Sequence, residues 1–554
     1  MNLVNFPRLR RLVWLTIVGV FFAIGVRATR AEEPSLALKR PQLPPADPEH
    51  GMTHPIDRLL VSYFKQHHVQ AGEPVSDLRF MRRAYLDLIG LIPSPERVDA
   101  FLHDQRPDKR ARLVDQLLSD RRNYADHWMT FWNDALRNAY RGTGYIDDGR
   151  RQMTEWLYAA LYDNKPYDRF VRELIHPVPG SEGFTRGIVW RGTVNASQIP
   201  AMQAAQNLSQ VFLGTNVKCA SCHDSFVNDW KLTDAYALAS VFAEKPLEVH
   251  HCNQPTGETV SPGFIYSELG TIEAGASPDQ RTARLAELLT SPGDGRFART
   301  IVNRLWAWFF GRGLIEPVDD MDGEPLSAEL LDYLAADLVD HGYDLKATMR
   351  RICTSRAYQL PSVGAPAPDE TEFVFHGPMV RRMTAEEFVD AVSAVTGVWQ
   401  AVGPEMLKQD GRGQGGQLVG VYRVRGPVKD EMWPPGERAA LAMSDALQHA
   451  LGRPSREQVV TRRDSIATTL EALELNNGAV LDRMLKRGAK RWLGRNEASP
   501  DRLIDDLYRT ALGRDANKSE LEVGRQLVGS PPKESGVEDL LWVLFMLPEF
   551  QLIY

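Results

Sequence analysis

The stretch RFARTIVNRLWAWFFG, residues Arg296–Gly311, decides the fold of this sequence. Its apolar side chains recur every three or four residues, which places them on one face of an α-helix, and the closing glycine is typical of a helix C-terminus. The next stretch, SAELLDYLAADLVDHG at Ser327–Gly342, repeats the pattern behind a serine that predicts an N-cap. Asp344 begins a third helix of the same kind. Three such neighbours predict a helical fold.

Helical periodicity extends over nearly all of the chain, so we expect a mostly α-helical protein with little β-structure. The pattern fades at 251–292, where prolines and glycines predict a long irregular loop region. The sequence therefore predicts two helical domains, at 56–250 and 293–554, joined by that region. Strand structure is expected at Gln417–Val424, with a short hairpin near Phe264–Tyr266.

The first 31 residues are typical of a secretory signal peptide. Arginines precede the apolar run Leu12–Val26, and small residues follow it. The run of about 15 residues is shorter than the ~20 that a membrane-spanning helix needs, so we expect no stable membrane span once it is removed. A Pro-rich linker is expected at 32–55. The sequence therefore predicts an exported protein, periplasmic or extracellular.

Charge excludes some classes of function. The formal net charge is −7, and the first 31 residues carry five arginines and no acid, so their removal takes it to −12. No long basic stripe is present in the sequence, and an acidic protein of this kind is not expected to bind nucleic acid. Four cysteines in 554 residues are too few to stabilise the fold through disulfides, so the hydrophobic core must stabilise it.

Two of those cysteines lie in the pentapeptide Cys219-Ala220-Ser221-Cys222-His223, which has the C-x-x-C-H spacing of c-type haem attachment. Two thiols at this spacing can add to the two vinyl groups of haem, and the adjacent imidazole can bind the iron on one face. Export agrees with this chemistry, because covalent haem is attached outside the bacterial cytoplasm. We therefore expect haem c, with Cys219 and Cys222 as thioethers and His223 as the axial ligand.

The other face of the iron needs a separate ligand or stays open. His250 and His251 follow the motif by about thirty residues and are the expected sixth-ligand candidates. Met202 and Met129 are the methionine alternatives, which would raise the reduction potential relative to a pair of histidines.

Zinc is the main alternative cofactor. Cys219, Cys222, His250 and Cys252 supply the four ligands that a tetrahedral structural zinc site takes. A disulfide between Cys219 and Cys222 is a further alternative. The sequence alone does not decide between haem, zinc and a disulfide at the motif.

Five segments of the chain resemble a planctomycete-type secreted family built from two paired domains of unknown function, which often occur with a planctomycete cytochrome c domain. They are Arg112–Arg137 and Val217–Ala243 in the first half of the sequence, and Arg296–Leu360, Met383–Gly397 and Asp539–Phe550 in the second. Many relatives have C-H-D-H-P-F after the thiols, whereas this chain has His223-Asp224-Ser225-Phe226. A second nearby histidine is therefore absent from the motif.

The sequence favours an electron-transfer or redox-associated protein with a redox or cell-envelope protein as partner. A non-redox assembly or structural protein, with a zinc- or disulfide-stabilised site, is the second class. The third is a hydrolase or carbohydrate-active enzyme that would use acids such as Asp319 and Asp320. The sequence does not decide whether the protein is an enzyme.

Some other chemistry-bearing residues are expected to be structural. The acidic residues around Asp319 and Asp320 are expected to form a solvated turn. They do not fit a calcium-binding loop, because Leu331 stands where that loop requires a glutamate. Trp128 and Trp132 share one helix face and are expected in the core. Cys353 is expected to be a buried thiol.

Overall fold

A computed structural model describes residues 36–47, 51–70, 72–138, 153–190, 192–364, 373–399, 437–464, 466–495 and 499–554. Residues from Ala37 to Tyr554 form one compact unit. The expected signal peptide at 1–31 and the expected strand at Gln417–Val424 lie outside the described residues.

The described chain is mostly α-helical, as predicted. The helices of its first part are α1 Pro55–Gln66, α2 Asp77–Ile89, α3 Pro95–His103, α4 Lys109–Ser119, α5 Arg121–Ala135, α6 Thr154–Tyr162, α7 Tyr167–Ile175, α8 Gly183–Arg186, α9 Pro200–Leu213 and α10 Leu232–Val241. An antiparallel hairpin follows, with strands β1 Glu248–His251 and β2 Gln254–Thr259.

The second part is also helical. Its helices are α11 Pro278–Leu289, α12 Gly295–Phe310, α13 Ala328–Asp340, α14 Leu345–Cys353, α15 Arg356–Gln359, α16 Ala385–Thr396, α17 Ala446–Ala450, α18 Thr469–Asn477, α19 Ala479–Leu493, α20 Pro500–Leu512, α21 Lys518–Val528, α22 Glu534–Met546 and α23 Pro548–Gln551. Two short strands, β3 Arg381–Arg382 and β4 Leu552–Ile553, pair antiparallel.

Local chemistry sets the ends of the helices that decide the fold. Asp294 caps α12 by accepting a hydrogen bond from the Phe297 amide, and Gly311 ends that helix at φ +78°. The side chains of Ser327 and Asp344 cap α13 and α14 in the same way. The boundaries expected from the sequence are confirmed here, because short polar side chains satisfy amides that the first turn leaves unbonded.

The region expected to be an irregular loop, 251–292, is partly regular. It contains β2 and the whole of α11, whose start is fixed by a capping box between Ser277 and Gln280. The short hairpin expected at Phe264–Tyr266 is wrong, because the hairpin lies earlier, at β1 and β2. The rings of Phe264 and Tyr266 are instead buried and pack edge to face.

The apolar core extends across residues 251–292, the region that the sequence predicted to separate two domains. Trp128 of α5 lies 5.3 Å from Trp308 of α12, measured between ring centroids. Both indoles donate to carbonyls at the end of α2: Trp128 to Leu88 at 3.2 Å and Trp308 to Asp87 at 3.1 Å. The helices on either side of 251–292 therefore share one aromatic core and do not pack as two separate bodies.

Buried ion pairs join the same two parts of the chain. Asp134 of α5 accepts from Arg456 and Arg463, each at 2.7 Å, and Arg463 also donates to Glu386 of α16 at 2.5 Å. Although burial opposes it, Arg463 and Arg453 hold the pKa of Glu386 far below its usual range. Such groups stabilise the fold only while every partner is present.

Candidate functional site

The C-x-x-C-H motif lies in the loop that joins α9 to α10. Gly214, at φ +56°, ends α9, and the chain then forms a helical turn through the motif. The carbonyl of Cys219 accepts from the amides of Cys222 at 3.1 Å and His223 at 3.2 Å. Residues three apart in such a turn project from the same side. The turn therefore presents both thiols together, as attachment to one haem requires.

The ring of His223 is oriented by the backbone. Its Nδ1 lies 2.7 Å from the carbonyl oxygen of Asp224, which can only accept, so Nδ1 carries the proton. A proton fixed on one ring nitrogen leaves the lone pair of the other, Nε2, for a metal. The half-buried His223 is thus held in the tautomer that an axial iron ligand needs.

The β1–β2 hairpin packs against the motif at its tip. Cys252, in the two-residue turn between His251 and Gln254, donates its amide to the carbonyl of Cys222 at 2.7 Å. Cys252 has φ +55°, in the left-handed region that non-glycine residues rarely occupy. The structure thus brings a third cysteine to the motif, as the zinc alternative required.

The thiol of Cys252 neighbours that of Cys222. This neighbouring thiol, followed by burial, raises the pKa of Cys222. Cys219 and Cys252 are exposed and Cys222 is half-buried. Among the described residues, however, no three histidine, cysteine or acidic side chains are arranged to hold a metal ion. The four residues of the zinc alternative therefore do not form one coordination group in this conformation.

The two sixth-ligand candidates differ in how they are held. His250 is half-buried, donates from its Nδ1 to the Glu248 carbonyl at 3.0 Å, and donates its backbone amide to the Tyr236 hydroxyl at 3.1 Å. The carbonyl fixes the proton on Nδ1, so Nε2 of His250 is again the nitrogen left for a ligand bond. His251 is exposed. Its side chain shows no comparable anchor among the described contacts.

Two large apolar side chains stand in solvent beside the motif. Phe226 is 88% exposed and Val227 is 79% exposed. The ring of Phe226 lies 4.5 Å from the ring of His223, between centroids. Sequence analysis missed this pair, although an apolar dipeptide within the polar loop His223–Trp230 was the signal that could have revealed it. Together they expose a small apolar surface next to His223.

Most of the remaining candidates are buried. Met202 and Met129 are fully buried in α9 and α5, and Trp128 and Trp132 are in the core, as expected for the tryptophans. Cys353 is a buried thiol, also as expected. Asp319, an acid of the hydrolase alternative, accepts from Arg304 at 2.9 Å and from Gln210 at 2.7 Å.

Comparisons with known proteins identify domains without identifying an activity. Residues 55–246 match the family PSCyt2, a protein of unknown function (DUF1549), and residues 281–528 match the family PSD1, a protein of unknown function (DUF1553). No curated protein and no solved structure matches the chain. The C-x-x-C-H motif lies within the first match. The chain is therefore similar, over most of its described length, to two families of unknown function, in agreement with the planctomycete-type pair.

Proposed function

We propose that this is an exported protein that binds haem c covalently through Cys219 and Cys222 and acts in electron transfer. The observation that carries the proposal is the turn at the motif. It presents two thiols on one side and fixes the proton of His223 on Nδ1, so that Nε2 can bind iron. Bound haem would supply one-electron chemistry at this loop.

The chain's own residues would hold the haem. Cys219 and Cys222 would tether it covalently, and His223 would supply an imidazole ligand to the iron. The exposed side chains of Phe226 and Val227 offer an apolar surface next to that histidine. An apolar macrocycle that covers them would remove their contact with water, which is favourable by roughly 25 cal/mol per Å².

His250 is the residue we propose for the opposite face. Its Nδ1 proton is fixed by the Glu248 carbonyl and its backbone by Tyr236, while the Cys222–Cys252 backbone bond holds its hairpin against the motif. If His223 and His250 both supplied ligands to the iron, outer-sphere electron transfer would be favoured over binding of a substrate. The partner would then be a redox or cell-envelope protein.

Absorbance spectroscopy tests the cofactor. The full-length precursor is made in a host with c-type haem-attachment machinery, and we expect a Soret band in the purified protein. His223→Ala should disturb the spectrum strongly, whereas His341→Ala, which alters an exposed histidine after α13, should leave it unchanged. Stoichiometric zinc without a Soret band in the unaltered protein would refute the proposal.

The spin state of the iron tests the sixth ligand. His250→Ala should convert a low-spin spectrum to a high-spin one, because it removes the second imidazole. His251→Ala is the matched control, one residue further along the same strand, and should stay low-spin. A low-spin spectrum in both variants would exclude His250 as the ligand.

One observation favours the structural alternative. The backbone hydrogen bond from Cys252 to Cys222 joins the motif to the hairpin without any cofactor. A protein with a thiol-stabilised loop and no redox role would show this same contact. Metal analysis and the absorbance spectrum of the matured protein separate the two functions.

A further inference from the structure

Cys252 lies next to the motif but takes no part in the proposed haem attachment, which uses the thiols of Cys219 and Cys222. The hydrogen bond from its backbone amide to the Cys222 carbonyl, at 2.7 Å, brings the two backbones close enough for a disulfide to join them. The two thiols are neighbours. We propose that Cys222 and Cys252 form a disulfide in the chain before haem is attached.

The competing pairing lies within the motif. Cys219 and Cys222 are three residues apart in one turn, and Cys-x-x-Cys pairs form disulfides in thiol–disulfide oxidoreductases. The hydrogen bond from the Cys252 amide to the Cys222 carbonyl already holds the tip of the hairpin against the motif, so a Cys222–Cys252 bond does not require the hairpin to move.

Accessibility sets the order of the reaction. Cys252 is exposed, so its thiolate attacks one sulfur of an oxidised disulfide such as glutathione disulfide and releases one molecule of glutathione as the thiol. The half-buried Cys222 then attacks the Cys252 sulfur of the mixed disulfide and releases the second. The two cysteines together lose two protons and two electrons, and glutathione disulfide gains both.

The disulfide has a consequence that rests on the proposed function. While Cys222 is bonded to Cys252, its sulfur is unavailable for a thioether. Haem attachment would then require reduction of the bond, and the hairpin that carries His250 would be tied to the motif until that step. The disulfide itself stands on the geometry of the thiols and does not depend on haem.

Peptide mapping tests the pairing. The full chain, made without haem-attachment machinery, is reduced, exposed to glutathione disulfide while folded, alkylated after unfolding and digested with trypsin. We expect peptides 219–231 and 232–281 to be cross-linked, with Cys219 and Cys353 alkylated. An unlinked peptide 219–231 that contains a Cys219–Cys222 disulfide, with Cys252 alkylated, would overturn the proposal, as would alkylation of all four cysteines.

Two matched variants identify the sulfur. Cys219→Ser should keep the cross-link, and Cys222→Ser should abolish it. The reverse pattern would show that Cys252 pairs with Cys219 and would refute the assignment. A cross-link in a chain that never acquires a Soret band, even with the attachment machinery, would support the disulfide and reject the haem proposal, so the two fail separately.

Discussion

At the scale of single residues, buried charges join distant parts of this chain. Asp87, fully buried at the end of α2, accepts from Arg381 at 2.5 Å and from the Tyr358 hydroxyl at 2.7 Å. Both donors come from the second part of the chain. Asp87→Ala would leave the Arg381 guanidinium buried without its counter-charge, and we expect it to lower the free energy of unfolding by about 3–5 kcal/mol.

Urea unfolding checks this expectation. The control is Asp501→Ala, which breaks a pair with Arg525 of similar length, 2.6 Å, on the surface. Exposed pairs contribute little, because water solvates both charges and salt screens them. We therefore expect the midpoint to move for Asp87→Ala and to stay in place for Asp501→Ala. Equal shifts in the two variants would contradict the expectation that burial makes the Asp87–Arg381 pair contribute more to stability than the exposed pair.

At the scale of elements, helix ends place the candidate site. Gly214 ends α9 at φ +56° immediately before the motif loop, and a Cβ there would lie 2.4 Å from Cγ of Met321. Gly342 has a similar φ, +65°, but open space around it. Gly342→Ala should therefore cost about 1 kcal/mol, from the left-handed backbone alone.

The comparison of the two alanine variants isolates the steric effect. We expect Gly214→Ala to be less stable than Gly342→Ala by roughly 1–3 kcal/mol, because the added methyl group must displace the buried Met321. Thermal unfolding of both variants measures the difference. Equal stabilities would mean that the loop after α9 moves freely and does not position the motif.

The N-cap of α12 gives a pH dependence. Asp294 accepts from the Phe297 amide at 3.2 Å, but its Oδ2 is buried without a hydrogen-bond partner, and burial raises its pKa from 3.8 to about 7. Between these values the folded chain keeps a proton that the unfolded chain releases. This group's contribution to stability is therefore present below about pH 4 and is lost as the pH rises through about 7.

Asp294→Asn should remove that dependence while keeping the cap. We expect the variant to gain stability over the unaltered protein as the pH is raised from 4 to 8, by on the order of 2–4 kcal/mol at the upper end. Ser327→Asn, at the N-cap of α13, carries no titratable group, so its effect should be independent of pH. A constant difference for Asp294→Asn across this range would contradict the raised pKa.

Helix ends also show what the sequence reveals and what it does not. Ser327, Asp344 and Gly311 are recognisable because capping is local chemistry within one turn. The contact of Cys252 with Cys222 is not recognisable in this way, because it depends on a hairpin that folds back over thirty residues. The alternation that would identify β2 is also lacking, since all six of its residues are exposed.

At the scale of the whole molecule, the chain from Ala37 to Tyr554 folds as one unit although two families match it. Local periodicity predicted the helices, but it carries no information on which helices meet. The packing of Trp128 against Trp308 and the pairing of Asp134 with Arg463 are long-range contacts. The expectation of two helical bodies came from the faded pattern at 251–292, which proved to hold a hairpin and a helix.

Among the described residues, no helix is long and apolar enough to cross a bilayer. The exposed apolar pair Phe226 and Val227 lies instead in a single loop, beside the motif. One site on this helical unit therefore combines thiols, an oriented imidazole and uncovered apolar surface. That combination supports our proposal of a covalent haem at the α9–α10 loop.

The mass of the tryptic peptide Cys219–Lys231 shows whether haem is attached at the motif. The protein is matured with c-type attachment machinery, digested and separated, with absorbance recorded as the peptides elute. We expect this peptide to carry one covalently bound haem and to absorb in the Soret region. The same peptide recovered without haem, from protein that holds stoichiometric zinc, would contradict the haem proposal.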